Sequence, residues 1–428
     1  MLETNNSIII VDDQLDHLQY LSGVFCKYGI GCRTFLYDEL TPIQKPLENV
    51  KLAFFDITLT GAGDTNAQMA VLRDALKSYI SLKNKAFALV FWTNRPDYKD
   101  RFVDFVNRSD DKNEVPKPLC IEVIDKNEFL NYDEKIQNRL SNLMDDKLIK
   151  CLFSFDSELK QAADKSLNEV LELINFPDTW GQNAQFVKNI RDVFALIATE
   201  TLGNKRGMSN PDLAIKEAFG PLFLHYLCNE DSTVWKDFFV GTNIAKIHEF
   251  PEEGIAAKLN TIFHLELSLK EHDARGSVRR IERDDELFKS IVGHNINDWV
   301  NCVLFKNTKP KVCIKELIAL EISAACDYSN MKKRTHRYLL GVIVPKAIQE
   351  QVIGANLGDA FFDLPFGFIY KDEECHMFLH FNYLITEEES TVFKLLGNRL
   401  FSLKNEVMNM IGDRHARHIA RIGINSFR

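Results

Sequence analysis

The first third of the chain is patterned as short apolar runs separated by stretches in which apolar residues recur every three or four positions. Runs at 7–12, 31–37, 50–56, 86–93 and 119–125 predict strands. Stretches at 14–28, 66–83 and 97–107, and one from about 133, predict helices, with a short helical segment near 41–48. Strands that alternate with helices imply a parallel sheet covered on both faces.

From 133 to 205 the period turns helical, with Leu140, Leu143, Leu148, Leu152 and Leu159 among its apolar positions, until Pro177 breaks the run. Such a segment either couples the first domain to the next one or packs the seam of a homodimer, although it lacks a sustained heptad. A mainly helical middle continues to about 270, with elements at 182–202, 211–228, 233–238 and 253–271. The mixed charges of Glu271–Asp285 read as a solvated linker.

Beyond 295, apolar runs at 299–305, 317–323, 338–345, 366–370 and 376–381 predict antiparallel pairs in a small sheet or partly open barrel, and 390–420 predicts a final helix. The expected organisation is therefore an α/β domain over 1–145, a helical coupling region over 146–285 and a mixed α+β domain over 286–428. A chain of 428 residues has the length for two or three such domains.

Charge and composition then remove several classes of function. A formal net charge of -9 argues against sequence-independent adhesion to nucleic acid or to an anionic membrane, since both depend on clustered positive charge. No apolar stretch approaches the roughly 20 residues that span a bilayer. The N-terminal residues carry no basic stretch with an apolar run after it, so no signal peptide is indicated. Nine cysteines show no C-x-x-C spacing and read as reduced thiols, which makes a reducing cytoplasm the expected location.

Candidate chemistry gathers where the first-domain strands end. The run Ser7–Val11 ends in Asp12-Asp13, and Val50–Phe55 ends in Asp56. In an open parallel sheet, ligands collect outside the carboxyl ends of the strands, so these acids are expected to share one crevice. Clustered carboxylates suit a hard divalent cation, and magnesium uses few carboxylates and keeps open positions for phosphate oxygens. Thr93 ends the run Phe87–Trp92 and Lys126 comes directly after Cys120–Asp125, placing a hydroxyl and an ammonium where each could grip phosphoryl oxygens. Taken singly, an Asp after an apolar strand, such as Asp56, is more often a helix cap or turn residue than a nucleophile.

Taken together and in this order, the acid pair, the single Asp, the Thr and the Lys resemble the receiver domains of two-component response regulators, over roughly residues 5–145. The resemblance implies a flavodoxin-like sheet of strand order 2-1-3-4-5. It implies that Asp12, Asp13 and Asp56 hold Mg2+, that Asp56 accepts phosphate, that Thr93 relays the change and that Lys126 pairs with the phosphoryl group. It further implies a signalling role in a phosphorelay, with a histidine-kinase-like or ATPase protein as partner, in the setting of a prokaryotic phage-defence system. The chain departs from the receiver pattern at Asn127, where proline is usual, and at Val123, where an aromatic residue is common, a place Trp92 could fill. These departures keep open a phosphorylation-independent pseudo-receiver adaptor.

In the terminal region, Ile322–Tyr328 reads as a strand that ends in Cys326-Asp327, a pattern similar to that of uncharacterised prokaryotic proteins with divergent receiver-like domains. A thiol beside Lys332, Lys333 and Arg334 allows a nucleophile, and Cys326 and Asp327 could also join His376, His380 or His415 around a metal. An enzyme centred on Cys326 and Asp327 is thus a third reading. Buried structural cysteine and ordinary sheet histidines are the favoured interpretation. Apart from receiver chemistry no enzyme activity is expected.

Overall fold

The computed structural model describes residues 7–40, 43–60, 64–130, 133–174, 181, 184–229, 232–247, 249–268, 275–306, 312–323, 335–352, 358–387 and 394–420. The chain divides into two compact units, one made of Met1–Glu169 with Phe223–Thr242 and the other of Val170–Leu222 with Asn243–Arg428. Among the described residues no helix is long and apolar enough to cross a membrane.

The first unit is built on β1 (Ile8–Asp12), β2 (Arg33–Leu36), β3 (Leu52–Phe55), β4 (Ala88–Thr93) and β5 (Cys120–Asp125), in the order β2-β1-β3-β4-β5 with every pair parallel. Helices α1 (Leu15–Lys27), α2 (Thr65–Tyr79) and α3 (Tyr98–Arg108) connect the strands, and α4 (Lys126–Phe129), α5 (Asp133–Met144) and α6 (Lys147–Glu172) come after them. Because strand side chains alternate, the central strands β1, β3 and β4 each feed two cores. Ile9, Val11, Ala53, Phe55, Leu89 and Phe91 pack with α2 and α3 through Leu72, Leu76 and Phe102. Ile8, Ile10, Phe54, Val90 and Trp92 pack with α1 and α5 through Leu21, Val24 and Ile136. The returning segment is pinned to α6, where Trp235 meets Phe155 edge-on at 5.5 Å and the Tyr226 hydroxyl donates to Glu169 at 2.6 Å.

The helical segment expected near 41–48 is not present in its described part. Pro46 has no N–H to donate and drives Lys45 toward extended backbone. The chain instead runs alongside the end of α2, with Leu47 bonded to Tyr79 and Ser81 through its backbone at 2.9 Å each.

The second unit holds an antiparallel sheet of β6 (Leu265–Glu266), β7 (Ser277–Ile281), β8 (Glu316–Glu321), β9 (His336–Pro345), β10 (Phe361–Asp363), β11 (Phe368–Tyr370), β12 (Glu373–Glu387) and β13 (Leu396–Leu403). Its order is β10-β12-β9-β8-β7-β13-β6, with β11 on β12. Helices α7 (Ala184–Leu202), α8 (Asn204–Ser209) and α9 (Ile255–His264) belong to the same unit.

Three sequence expectations are corrected in this unit. The charged segment taken as a linker contains β7, whose Ser277, Val278 and Ile281 are buried while its arginines lie half-buried, so the apolar positions and not the charge total decide. Trp299–Leu304 is a π-helical turn and not a strand, burying Trp299, Val300 and Leu304. A short, mostly apolar run has no period that separates the two. The single helix expected over 390–420 is strand β13 and then a helix at Asn405–Ile419. Here Phe401 and Leu403 alternate inward with strand period.

Candidate metal centre

Five residues expected to converge do so at the carboxyl edge of the parallel sheet. β1 and β3 are neighbours, so Asp12 at the end of β1 and Asp56 just after β3 emerge side by side, and the Asp56 N–H donates to the Val11 carbonyl at 3.0 Å. Asp13 lies where the chain turns toward α1. Thr93 ends β4 opposite Asp125 of β5, and Lys126 is the next residue. The Asp125 carboxylate caps α4 by accepting the Asn127 N–H at 2.8 Å, which fixes where Lys126 leaves the strand.

Ligand oxygens of Asp12, Asp13 and Asp56 lie within 4.8 Å of one another. Lys126 stands between two of these acids, with Nζ donating to Asp56 Oδ2 at 2.6 Å. The same Nζ lies 2.7 Å from Asp12 Oδ2, an ion pair by distance that lacks the angle of a hydrogen bond. Asp12, Thr93 and Lys126 are 0% exposed and Asp56 is 2% exposed, so the arrangement is closed except on the side of half-buried Asp13. Burial pushes the Asp13 carboxyl above its ordinary range, the negative charges of Asp12 and Asp56 push it further, and Lys126 only partly opposes them.

Backbone and hydroxyl donors orient the remaining oxygens. Asp12 Oδ1 accepts the Gln14 N–H at 2.9 Å. Asp56 Oδ1 accepts the Thr58 N–H at 3.1 Å and the Thr58 hydroxyl at 3.4 Å. The Thr93 hydroxyl accepts the Arg95 N–H at 3.2 Å. Buried His17, on α1, brings Nδ1 to 3.5 Å from Asp12 Oδ1. Neither Thr58 nor His17 was apparent from the strand-end pattern. The available signal was a hydroxyl two residues past Asp56 and a polar residue on the inward stripe of α1.

The donor set fits a hard divalent cation. Three carboxylates face one ammonium, which leaves two negative charges uncompensated if all are ionised. Asp13 Oδ1 is buried without a hydrogen-bond donor, and Asp12 Oδ2 is met only by the Lys126 ammonium. Unsatisfied buried carboxylate oxygens are costly, and a cation shared among them removes that cost. An all-carboxylate set suits magnesium or manganese better than a softer metal.

The other sequence candidates are placed differently. Cys326 and Asp327 lie outside the described residues. Among the described residues, Asp12, Asp13 and Asp56 form the one group of three or more potential ligands, and His376, His380 and His415 join no such group. His380 is buried, with its ring 4.9 Å from Tyr383, and burial together with nearby His418 pushes its pKa down to about 4. His415 packs on the Phe381 ring at 5.4 Å. Trp92 points into the core shared with α1 and stacks on Tyr20 at 6.4 Å.

Compared with known proteins, the chain matches no family model, no curated protein and no solved structure.

Proposed function

We propose that this chain is a signalling protein whose first unit is a flavodoxin-like receiver that takes a phosphoryl group on Asp56. The observation that carries the reading is the meeting of Asp12, Asp13, Asp56, Thr93 and Lys126 at adjoining strand ends, with three carboxylates within 4.8 Å. A bound Mg2+ supplies charge neutralisation for the incoming phosphoryl oxygens. Asp12, Asp13 and Asp56 hold it. An Asp56 oxygen forms the new O–P bond as the donor's bond to phosphorus breaks, and the electron pair of that bond leaves with the donor. Thr58 fixes the other Asp56 oxygen through its N–H. Lys126 then moves its contact from the carboxylate to the phosphoryl group, and Thr93 turns toward the same charge. The second unit reads this change as an output or interaction domain. The partner is a histidine-kinase-like or ATPase protein and the setting a prokaryotic defence system in the cytoplasm.

Incubation with magnesium and acetyl phosphate, then intact mass, tests the phosphoryl step. A phosphate-sized gain is expected in the native chain and not in Asp56→Asn. No gain in either overturns it.

A second reading, the phosphorylation-independent adaptor, is favoured by one observation. Asp56 is 2% exposed and already paired with Lys126, so a phosphodonor has little access in this arrangement. Asn127 and Val123, which depart from the receiver pattern, point the same way. Under this reading the Asp56–Lys126 pair is a structural ion pair, and partners are captured equally well by native chain and Asp56→Asn.

A further inference from the structure

Helix α1 turns a stripe of Leu18, Leu21, Val24 and Phe25 onto the sheet, and the residue that opens this stripe is His17. Periodicity asks for an apolar side chain at that position. An imidazole placed there loses its water, and a buried polar nitrogen without a hydrogen bond is costly. His17 Nδ1 has no hydrogen bond, and it faces Asp12 Oδ1 at 3.5 Å. A leucine would fill the stripe at no such cost, so packing does not explain the histidine.

The surroundings of Asp12 do explain it. Oδ1 is held from the chain side by the Gln14 N–H at 2.9 Å, while Oδ2 faces Lys126 and has no hydrogen bond of its own. A carboxylate held on one oxygen by two donors presents its other oxygen in a fixed direction. We propose that His17 is a positioning residue for the metal centre: its Nδ1–H donates to Asp12 Oδ1 when the cation is bound, locks the carboxylate rotamer and thereby sets cation affinity. The inference rests on the metal-binding reading above and names a residue that acts through Asp12 and does not itself ligate. Donors behind a ligating group commonly govern affinity in this way, and their loss weakens binding about 10–100-fold.

The test uses the full chain and Mn2+ as the probe. Binding is read from the loss of the free-ion paramagnetic resonance signal, and Mg2+ is added as competitor. Two variants separate positioning from packing. His17→Leu fills the apolar stripe but has no donor, whereas His17→Asn keeps a donor near the Nδ1 position but packs worse. The expected result is a crossing of ranks. His17→Leu melts at or above the native temperature yet binds Mn2+ about 10–100-fold more weakly, and His17→Asn melts lower yet binds within a few-fold of native. Native-like Mn2+ affinity in a folded His17→Leu overturns the positioning role and leaves the metal centre standing. Affinity that simply tracks melting temperature across both variants overturns it as well. Failure of the native chain to bind Mn2+ displaceable by Mg2+ overturns the metal reading itself, and this inference with it.

Discussion

Lys126 is a fully buried ammonium in direct ion pairs with Asp12 and Asp56, with Asp13 the third carboxylate near it. Replacing it with methionine keeps the volume but leaves two carboxylates facing each other out of water. Loss of one partner of a buried ion pair costs about 3–5 kcal/mol. Lys126→Met should therefore lower the stability read from urea unfolding by that amount, and millimolar Mg2+ should recover part of the loss by supplying the missing positive charge. A urea midpoint equal to native, with or without Mg2+, would show that the pair carries no stability. At this scale the strand-end residues were legible in the sequence because each stops an apolar run, and a run's end marks the crevice side of a parallel sheet. His17 and Thr58 were not. The first occupies a position where helical periodicity expects a core residue, and the second acts partly through its backbone N–H, which nearly every residue type offers.

Single elements divide by how strongly their period constrains them. The central strands β1, β3 and β4, buried on both faces, read as continuous apolar runs between turn residues, and the strand order that the receiver resemblance implies is the observed one. Trp299–Leu304 shows the converse, because a run that is mostly apolar and only six residues long is compatible with strand or helix alike. Glycine exposes the same dependence on context. A Cβ on Gly341, in β9, would meet the Phe378 carbonyl oxygen at 2.3 Å across the sheet, whereas a Cβ on Gly23, in α1, meets nothing within 4 Å. Gly341→Ala is expected to destabilise by about 3 kcal/mol, since the clash is with backbone that cannot rotate away. Gly23→Ala should stabilise by about 0.5–1 kcal/mol by lowering the entropy of the unfolded chain. Chemical denaturation of the two variants checks both signs, and equal effects would contradict the close strand approach at β9.

Across the whole molecule, two sheets of different type each carry their own cores, and acid should test the second before the first. His380 is kept neutral in the folded chain, with its pKa lowered from 6.5 to about 4, mainly by burial. The unfolded chain takes up that proton below 6.5, so the contribution is intact above 6.5 and is lost as the pH falls toward 4. The loss approaches about 3 kcal/mol at the lower limit. His380→Gln, which cannot titrate, should flatten the decline in melting temperature over this interval, and an unchanged decline would assign the acid sensitivity elsewhere. What the sequence could not reveal at this scale is that the first unit is not one continuous stretch, because the partnership of Trp235 with Phe155 joins residues 80 positions apart without any shared local pattern. That discontinuity has a temporal consequence during synthesis. At about 5–20 residues per second, the roughly seventy residues from 170 to 242 take about 4–15 s to make. The nascent first unit therefore spends seconds with the α6 face at Phe155 bare, a window in which a ribosome-associated chaperone would meet an aromatic ring that the finished protein half-buries.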